Sequence, residues 1–267
     1  MNFTTIKNNI IIKWVTLVLI ILFHLLFGGC DQMSLNTDIE RILTINDISY
    51  DVNKELGYTV YISENEQYNS YLVLTSDYYG NVLLLRKHLL DEAMPYNGQT
   101  SVPSYYENSE IDRFLNNEFF HTLSNAVGDK IVESTVMITD VESIGCVGTD
   151  TLSIQRKIFL LSYTETAQEK SLVNAIEGTA IKYFSDDIDA FISTTSSGEY
   201  DSWWLRTPNT AYFNTVYGIS PDGYVGVCSV GGTEGAYCNG VRPAFCLPQN
   251  TVIQQSNING EDVYLIQ

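Results

Sequence analysis

This chain of 267 residues has little of what marks most catalytic or nucleic-acid-binding proteins. It holds three histidines, His24, His88 and His121, and no C-x-x-C pair. A transition-metal site needs several such ligands at short spacing, so the sequence offers no metal and no cofactor candidate. There is no G-x-S-x-G elbow, no P-loop and no dinucleotide fingerprint, so those hydrolase and nucleotide chemistries have no motif to rest on. Basic residues are scarce: 14 Lys and Arg face 32 Asp and Glu, a formal charge of −18. Two of the 14, Lys7 and Lys13, lie in the first 30 residues, which hold no acid, so the remainder carries 12 against 32, or −20. Nucleic acid and anionic lipid surfaces are bound by clustered Lys and Arg, and this balance argues against both. The acids are dispersed rather than run together, which reads as solubility. No internal repeat of useful length is present.

One apolar run stands out, "WVTLVLIILFHLLF" from Trp14 to Phe27. It falls short of the roughly 20 residues that span a bilayer. Preceded by Lys7 and Lys13, it fits the central segment of a secretory signal. Gly28 and Gly29 then stand directly before Cys30, in "LLFGGC". This resembles a bacterial lipoprotein box, in which the cysteine is lipidated and becomes the mature N-terminus; Phe27 replaces the more usual leucine. The expectation is a signal peptide over 1–29, a lipidated Cys30 with a polar tether over 30–45, and one domain over 46–267. An uncleaved membrane anchor would put the domain on the same side, outside the cytoplasmic membrane. Each buried methylene is worth about 0.8 kcal/mol, so a multiply acylated cysteine would hold the chain to the membrane's outer face or the cell surface.

With Cys30 set aside, Cys146, Cys228, Cys238 and Cys246 remain. An even number in an exported domain makes them candidate disulfide partners, with three pairings open. The last three lie close together, which favours a local bridge; buried free thiols are the alternative.

The coarse pattern alternates short strands with a few helices. "YTVYI" (58–62), "SYLVLTS" and "NVLLLRK" read as strands, the last two paired across a turn at Asp77 and Gly80. "YYENSEIDRFLNNEFFHTLS" reads as a helical stretch with Ser109 as N-cap and Asp112 three residues on. "IVESTVMITD" and "RKIFLLSYTE" read as strands, and "TAQEKSLVNAIEG" as a modest helix. From Trp203 onward glycine-rich strands dominate. Ser220-Pro221-Asp222-Gly223 supplies a tight hairpin turn, and Asn259-Gly260 another. The fold class that follows is α+β, mostly antiparallel, with two or three helices.

Several motifs stand in a fixed order: "VLLLRKHLLDEAMPYN", "NSEIDRFLNNEFF", "KIFLLSYTE", "SWWLRTP", "PDGYV" and "GVRPAF". Together they resemble the bacterial domain of unknown function family 6273, with its W-W-L-R-S-P and G-V-R-P-A signatures, over about residues 56–250. The chain departs from the pattern at Thr207, where serine is usual, and in its three late cysteines. The family is more distantly similar to C-type-lectin-like domains, which include formylglycine-generating-type enzymes and diversified variable proteins. That resemblance implies a lectin-like domain whose ligand contacts come from strands and loops between the two signatures. Here those are "NTAYFNTVYG" and "GGTEGAYCNG", which give Tyr212, Asn214, Tyr217, Thr233, Glu234, Tyr237 and Asn239 as ligand-binding candidates. They are residue types that make adaptable contacts. Trp203, Trp204, Arg206, Gly240 and Arg242 read as framework, with the two arginines satisfying buried carbonyls or carboxylates. The competing role for Trp204 is a stacking platform for a sugar. The E-P-N, Q-P-D and W-N-D triplets of calcium-dependent lectins are absent.

The reading is a surface lipoprotein with a non-enzymatic binding or display domain for a glycan or protein ligand. Two alternatives stay open, a cell-envelope hydrolase and a structural scaffold. Cys228, Cys238 and Cys246 invite comparison with the copper-binding cysteine pair of formylglycine-generating enzymes. A glycosidase needs two carboxylates about 5–9.5 Å apart, which 32 acids neither supply nor deny.

Overall fold

The structure is a computed structural model describing residues 42–53, 55–98, 101–166, 173–186, 188–231, 240–258 and 260–266, with backbone alone at 188. All belong to one compact unit, Ile42–Gln267. Among the described residues there are twelve strands, three short α-helices and several single turns of 3-10 helix, an α+β architecture. None of the helices is long and apolar enough to cross a membrane.

The main sheet has seven strands. β1 (Thr59–Glu64), β2 (Gln67–Tyr78) and β3 (Asn81–Arg86) form an antiparallel meander. β1 shows period-two burial, as a strand with one wet face must. β3, "NVLLLR", is buried on both faces from Val82 onward. A continuous aliphatic run suits such a doubly covered central strand. The turn between β2 and β3 places Tyr79 and Gly80 at positive φ, and the Gly80 N–H donates to Asp77. β3 then pairs with β10 (Ala244–Leu247), and β10 with the two-residue β6 (Ile158–Phe159). On the other flank the hairpin of β11 (Ile253–Ile258) and β12 (Glu261–Ile266) joins β1 through a parallel pairing, Tyr61 beside Leu265. The hairpin β4 (Ser134–Thr139) and β5 (Thr151–Arg156) forms a second sheet. β7 (Trp203–Pro208), β8 (Thr215–Ile219) and β9 (Val225–Ser229) form a third.

The helix expected after Ser109 is present but composite. α1 (Glu110–Phe114) opens with the Asp112 N–H donating to Ser109 Oγ, at 3.2 Å. A π-turn over Leu115–Phe119 and a 3-10 turn over Phe120–Thr122 follow. The capping partner differs from a reciprocal box. Asp112 accepts from the Asn108 N–H instead of Ser109's, because Asn108 sits in a left-handed conformation that turns its N–H inward. α2 (Asn125–Gly128) and α3 (Lys182–Asp186) are single turns.

Two expected elements are corrected. "RKIFLLSYTE" is not one strand: Arg156 ends β5, β6 covers only Ile158–Phe159, and the chain then turns through Tyr163–Thr166. In "TAQEKSLVNAIEG", residues 167–172 lie outside the described set, and Val173–Gly178 are not helical. There the backbone serves side-chain partners: the Glu177 N–H donates to Thr164 Oγ1, and its carbonyl accepts from Ser162 Oγ. Gly178 follows at positive φ. A helix would withdraw these groups from the core.

Candidate functional site

Every residue of β7 is buried, so "WWLRTP" packs on both faces. Trp203 and Trp204 are each 0% exposed. The Trp203 indole N–H donates to the Phe191 carbonyl at 2.9 Å, and that of Trp204 to Met94 at 2.9 Å. Tyr96 meets Trp204 edge-on at 5.6 Å. No ring face remains for a sugar, which removes Trp204 as a stacking platform.

Arg206 lies at the centre of a dry polar cluster. Its Nη1 and Nη2 reach the two oxygens of Glu165 at 2.7 and 2.8 Å. Nε and Nη1 also donate to the Met137 and Leu160 carbonyls. Glu165 further accepts from the Tyr78 hydroxyl and the Ser162 N–H. Burial opposes the guanidinium charge, but the adjoining Glu165 more than offsets that and holds its pKa above the ordinary value. A second carboxylate, Glu177, is also 0% exposed, with one oxygen 3.7 Å from Arg206 Nε. It accepts from the N–H and hydroxyl of Thr139 and from the Thr207 hydroxyl, each at 2.6 Å. Burial raises its pKa; Arg206 and these hydrogen bonds oppose the shift without cancelling it. Thr207 Oγ1 also accepts from the Tyr163 N–H, so the site needs a hydroxyl that serine or threonine can supply.

The segment from Gly240 to Pro243 joins this framework although it lies far along the chain. Gly240 pairs in parallel with Trp203, its carbonyl accepting the Trp204 N–H at 3.0 Å and its N–H donating to Ser202 O at 3.1 Å. A β-carbon at Gly240 would press into that Ser202 carbonyl oxygen, so only glycine fits. Arg242 then stacks 5.1 Å over the Trp203 ring and donates to the carbonyls of Arg86 and Ala190. The two signatures are one packed unit.

The expected ligand residues divide. Tyr212 is 61% exposed on the β7–β8 turn, and Asn214 is half-buried beside it. Tyr217 is a correction: it is buried on β8, with Tyr163 edge-on at 4.9 Å. Its position on β8 shares a face with Trp203 and Ile219 through the strand register, and those two side chains are fully buried. Thr233, Glu234, Tyr237 and Asn239 lie outside the described residues, as do Cys30 and Cys238. Of the other cysteines, Cys228 is disulfide-bonded, while Cys146 (exposed) and Cys246 (buried) are free thiols. Cys146 and Cys246 are thus corrected as disulfide partners. Cys246 lies inside β10, between β3 and β6.

Three loops meet the β7–β8 turn. The Gly145 and Val147 N–H groups both donate to Thr210 O, Ser104 N–H to Phe213 O, and Asn174 Nδ2 to Thr210 Oγ1. Phe213, next to Tyr212 on the turn, is 49% exposed, and Val147, on a loop that binds the turn, is 58% exposed. Gly145 brings the loop near Phe213: a β-carbon at Gly145 would lie in ordinary van der Waals contact with it. Val147 has φ +58°, a left-handed conformation that is strained for a β-branched residue. Phe213 and Val147 were missed by sequence reasoning. Phe213 adjoins Tyr212 in "AYFN" and was open to inclusion; nothing local marks Val147, whose N–H partner, Thr210, is distant in sequence.

These features define an α+β domain whose buried arginine–tryptophan framework carries a rigid, partly apolar turn. The chain matches, over residues 79–249, the family described as Domain of unknown function (DUF6273), and it belongs to that family. The matched span contains both signatures and begins after β1 and β2. No curated protein and no solved structure matches the chain.

Proposed function

We propose that the protein is an exported lipoprotein, anchored through acyl chains on Cys30, whose lectin-like domain binds a glycan or protein ligand without catalysis. The contact surface is the β7–β8 turn around Tyr212 and Phe213 together with Val147. The observation that carries this reading is the strain at Val147. A β-branched residue in the left-handed region costs roughly 1–3 kcal/mol and persists only where its surroundings enforce it. Here its N–H is bound to Thr210 O, at the start of a turn that carries two exposed aromatic residues and is tied down by four hydrogen bonds from three other loops. Strain at an exposed apolar site is a common mark of a preorganised contact, and rigidity lowers the entropy lost on binding. The lectin-like assignment rests on the order of the two signatures and on the parallel bridge that joins Gly240 to Trp203.

The test is a glycan array and a cell-envelope pull-down on residues 31–267, repeated with Tyr212→Ala and Phe213→Ala. A ligand captured by the parent and lost by both variants, with unchanged thermal stability, supports the reading. Ligands captured equally by all three refute it. Incorporation of a labelled fatty acid, abolished by Cys30→Ser, tests the anchor.

A further inference from the structure

Four arginines among the described residues are buried or half-buried, and three of them face a carboxylate. Arg86 pairs with Glu64, Arg156 with Asp112, and Arg206 with Glu165. Arg242 is the exception: it is 2% exposed and makes no ion pair among the described residues. Two backbone carbonyls and the Trp203 ring take up Nε, Nη1 and one face of the guanidinium. Among the described residues Nη2 finds no acceptor, and it is not among the sealed, unpartnered buried atoms. Arg242 lines a cavity of about 360 Å³.

The cavity is built from two knitted segments. His88 Nδ1 lies 2.9 Å from Thr194 Oγ1, and the Leu89 N–H donates to Thr194 O. Ser193 Oγ donates to the Lys87 carbonyl. Tyr200, 68% exposed, is held at the mouth by its bridge to Thr194. Lys87 and Arg242 supply positive charge here, and Asp189 is the one carboxylate in the lining. Arg86 stands just behind, neutralised by Glu64. Within a chain of charge −18 this is a local reversal of sign. His88 registers it: burial, then Lys87, Arg86 and Arg242, lower its pKa. The Arg242 pKa is pulled down to about 10 by burial alone.

We propose that this cavity is a binding site for a carboxylate-bearing ligand of monosaccharide size, such as a uronic acid unit, with Arg242 meeting the carboxylate. A buried guanidinium without a counter-ion is costly, and a bound carboxylate supplies the missing charge through a directed, charge-assisted hydrogen bond. One free nitrogen on one buried cation, with Lys87 offset by Asp189, suits a single negative charge better than a phosphate dianion. The exposed Tyr200 ring offers an apolar face to a sugar, and the hydroxyls of Thr194 and Ser193 offer polar contacts. The site adjoins Trp203 at the start of β7, whereas the Tyr212 surface follows Pro208 at its far end. The two proposals therefore stand or fall separately.

The experiment is a titration of the full chain in detergent with sodium glucuronate, glucose and inorganic phosphate, read by calorimetry and by the histidine ring proton resonances. The expected result is saturable glucuronate binding in the millimolar range or tighter, with glucose and phosphate weaker by about tenfold. The His88 resonance moves and that of His121 does not. Lys87→Glu, an exposed change, weakens binding by about tenfold. Arg242→Lys abolishes it. Should Arg242→Lys fail to fold, Lys87→Glu and Tyr200→Ala decide the matter on their own. No saturable glucuronate binding, equal binding of glucose, tighter binding of phosphate, or an affinity indifferent to Lys87→Glu and Tyr200→Ala would each overturn the proposal.

Discussion

Replacing Arg206 by methionine isolates the interaction on which the domain's centre depends. Methionine fills much of the same volume but carries no charge and no donor. The change leaves the Glu165 carboxylate, 0% exposed, with only the Tyr78 hydroxyl and the Ser162 N–H. It also strips a donor from the Met137 and Leu160 carbonyls. Removing one partner of a buried ion pair costs about 3–5 kcal/mol, most of it the penalty of the stranded charge. For a domain of this size each kcal/mol moves the melting temperature by roughly 2–4 °C, so the expected fall is roughly 6–20 °C. Urea unfolding followed by tryptophan fluorescence is well placed to read it, since Trp203 and Trp204 adjoin the cluster in sequence. Adding Glu165→Gln to Arg206→Met removes the stranded charge and restores part of the loss, at least about 1 kcal/mol. A cost below about 1 kcal/mol for Arg206→Met, or a double variant worse by the full cost of Glu165→Gln, refutes the reasoning.

Other expectations follow from the same geometry. Gly240→Ala drives a β-carbon into the Ser202 carbonyl and, with it, against Leu89, so it destabilises by about 1–3 kcal/mol in urea unfolding. Under native conditions a thiol reagent modifies Cys146 and spares Cys246, whose thiol burial pushes up to about 12; Cys246 reacts only on unfolding, which peptide mapping distinguishes. The Glu177 pKa is raised by burial, so between the ordinary carboxylate value and the raised one the folded state keeps a proton that the unfolded state has lost. Stability from this group is full below the ordinary value and falls as pH rises through the raised one. Glu177→Gln cannot ionise, so its stability deficit relative to the parent shrinks as pH rises above the ordinary carboxylate value; a constant or growing gap contradicts the assignment.

The parts of the fold legible in the sequence are those with local causes. β2 and β3 were marked by aliphatic runs around a turn whose Asp77 and Gly80 do what their types suggest. Ser109 caps its helix, and Ser220–Gly223 turns its hairpin with the Gly223 N–H donating to Ser220 O. What could not be read depends on distant partners. Val173–Gly178 carry helix-compatible residues, but Glu177 is drawn into a cluster with Thr139 of β4 and with Arg206 and Thr207 of β7. β5 went unmarked because its burial is mixed and its identity comes from pairing with β4. The candidate site divides in the same way. Tyr212 is exposed as its turn setting suggested, while Tyr217, one residue type and five positions away, is closed over by Tyr163. Exposure on a strand is set by what packs over it, and no local pattern announces that. The "WWLRTP" and "GVRPAF" motifs announced themselves as separate signatures, and their meaning is the contact between them.

The most direct test of the binding surface is hydrogen-exchange footprinting of the protein with and without a ligand captured from the envelope. The account predicts slowed exchange at 143–148 and 209–214, the loop that carries Val147 and the turn that carries Tyr212 and Phe213, with β11 and β12 unchanged. Protection confined to β11 and β12, or none at either loop, would contradict it.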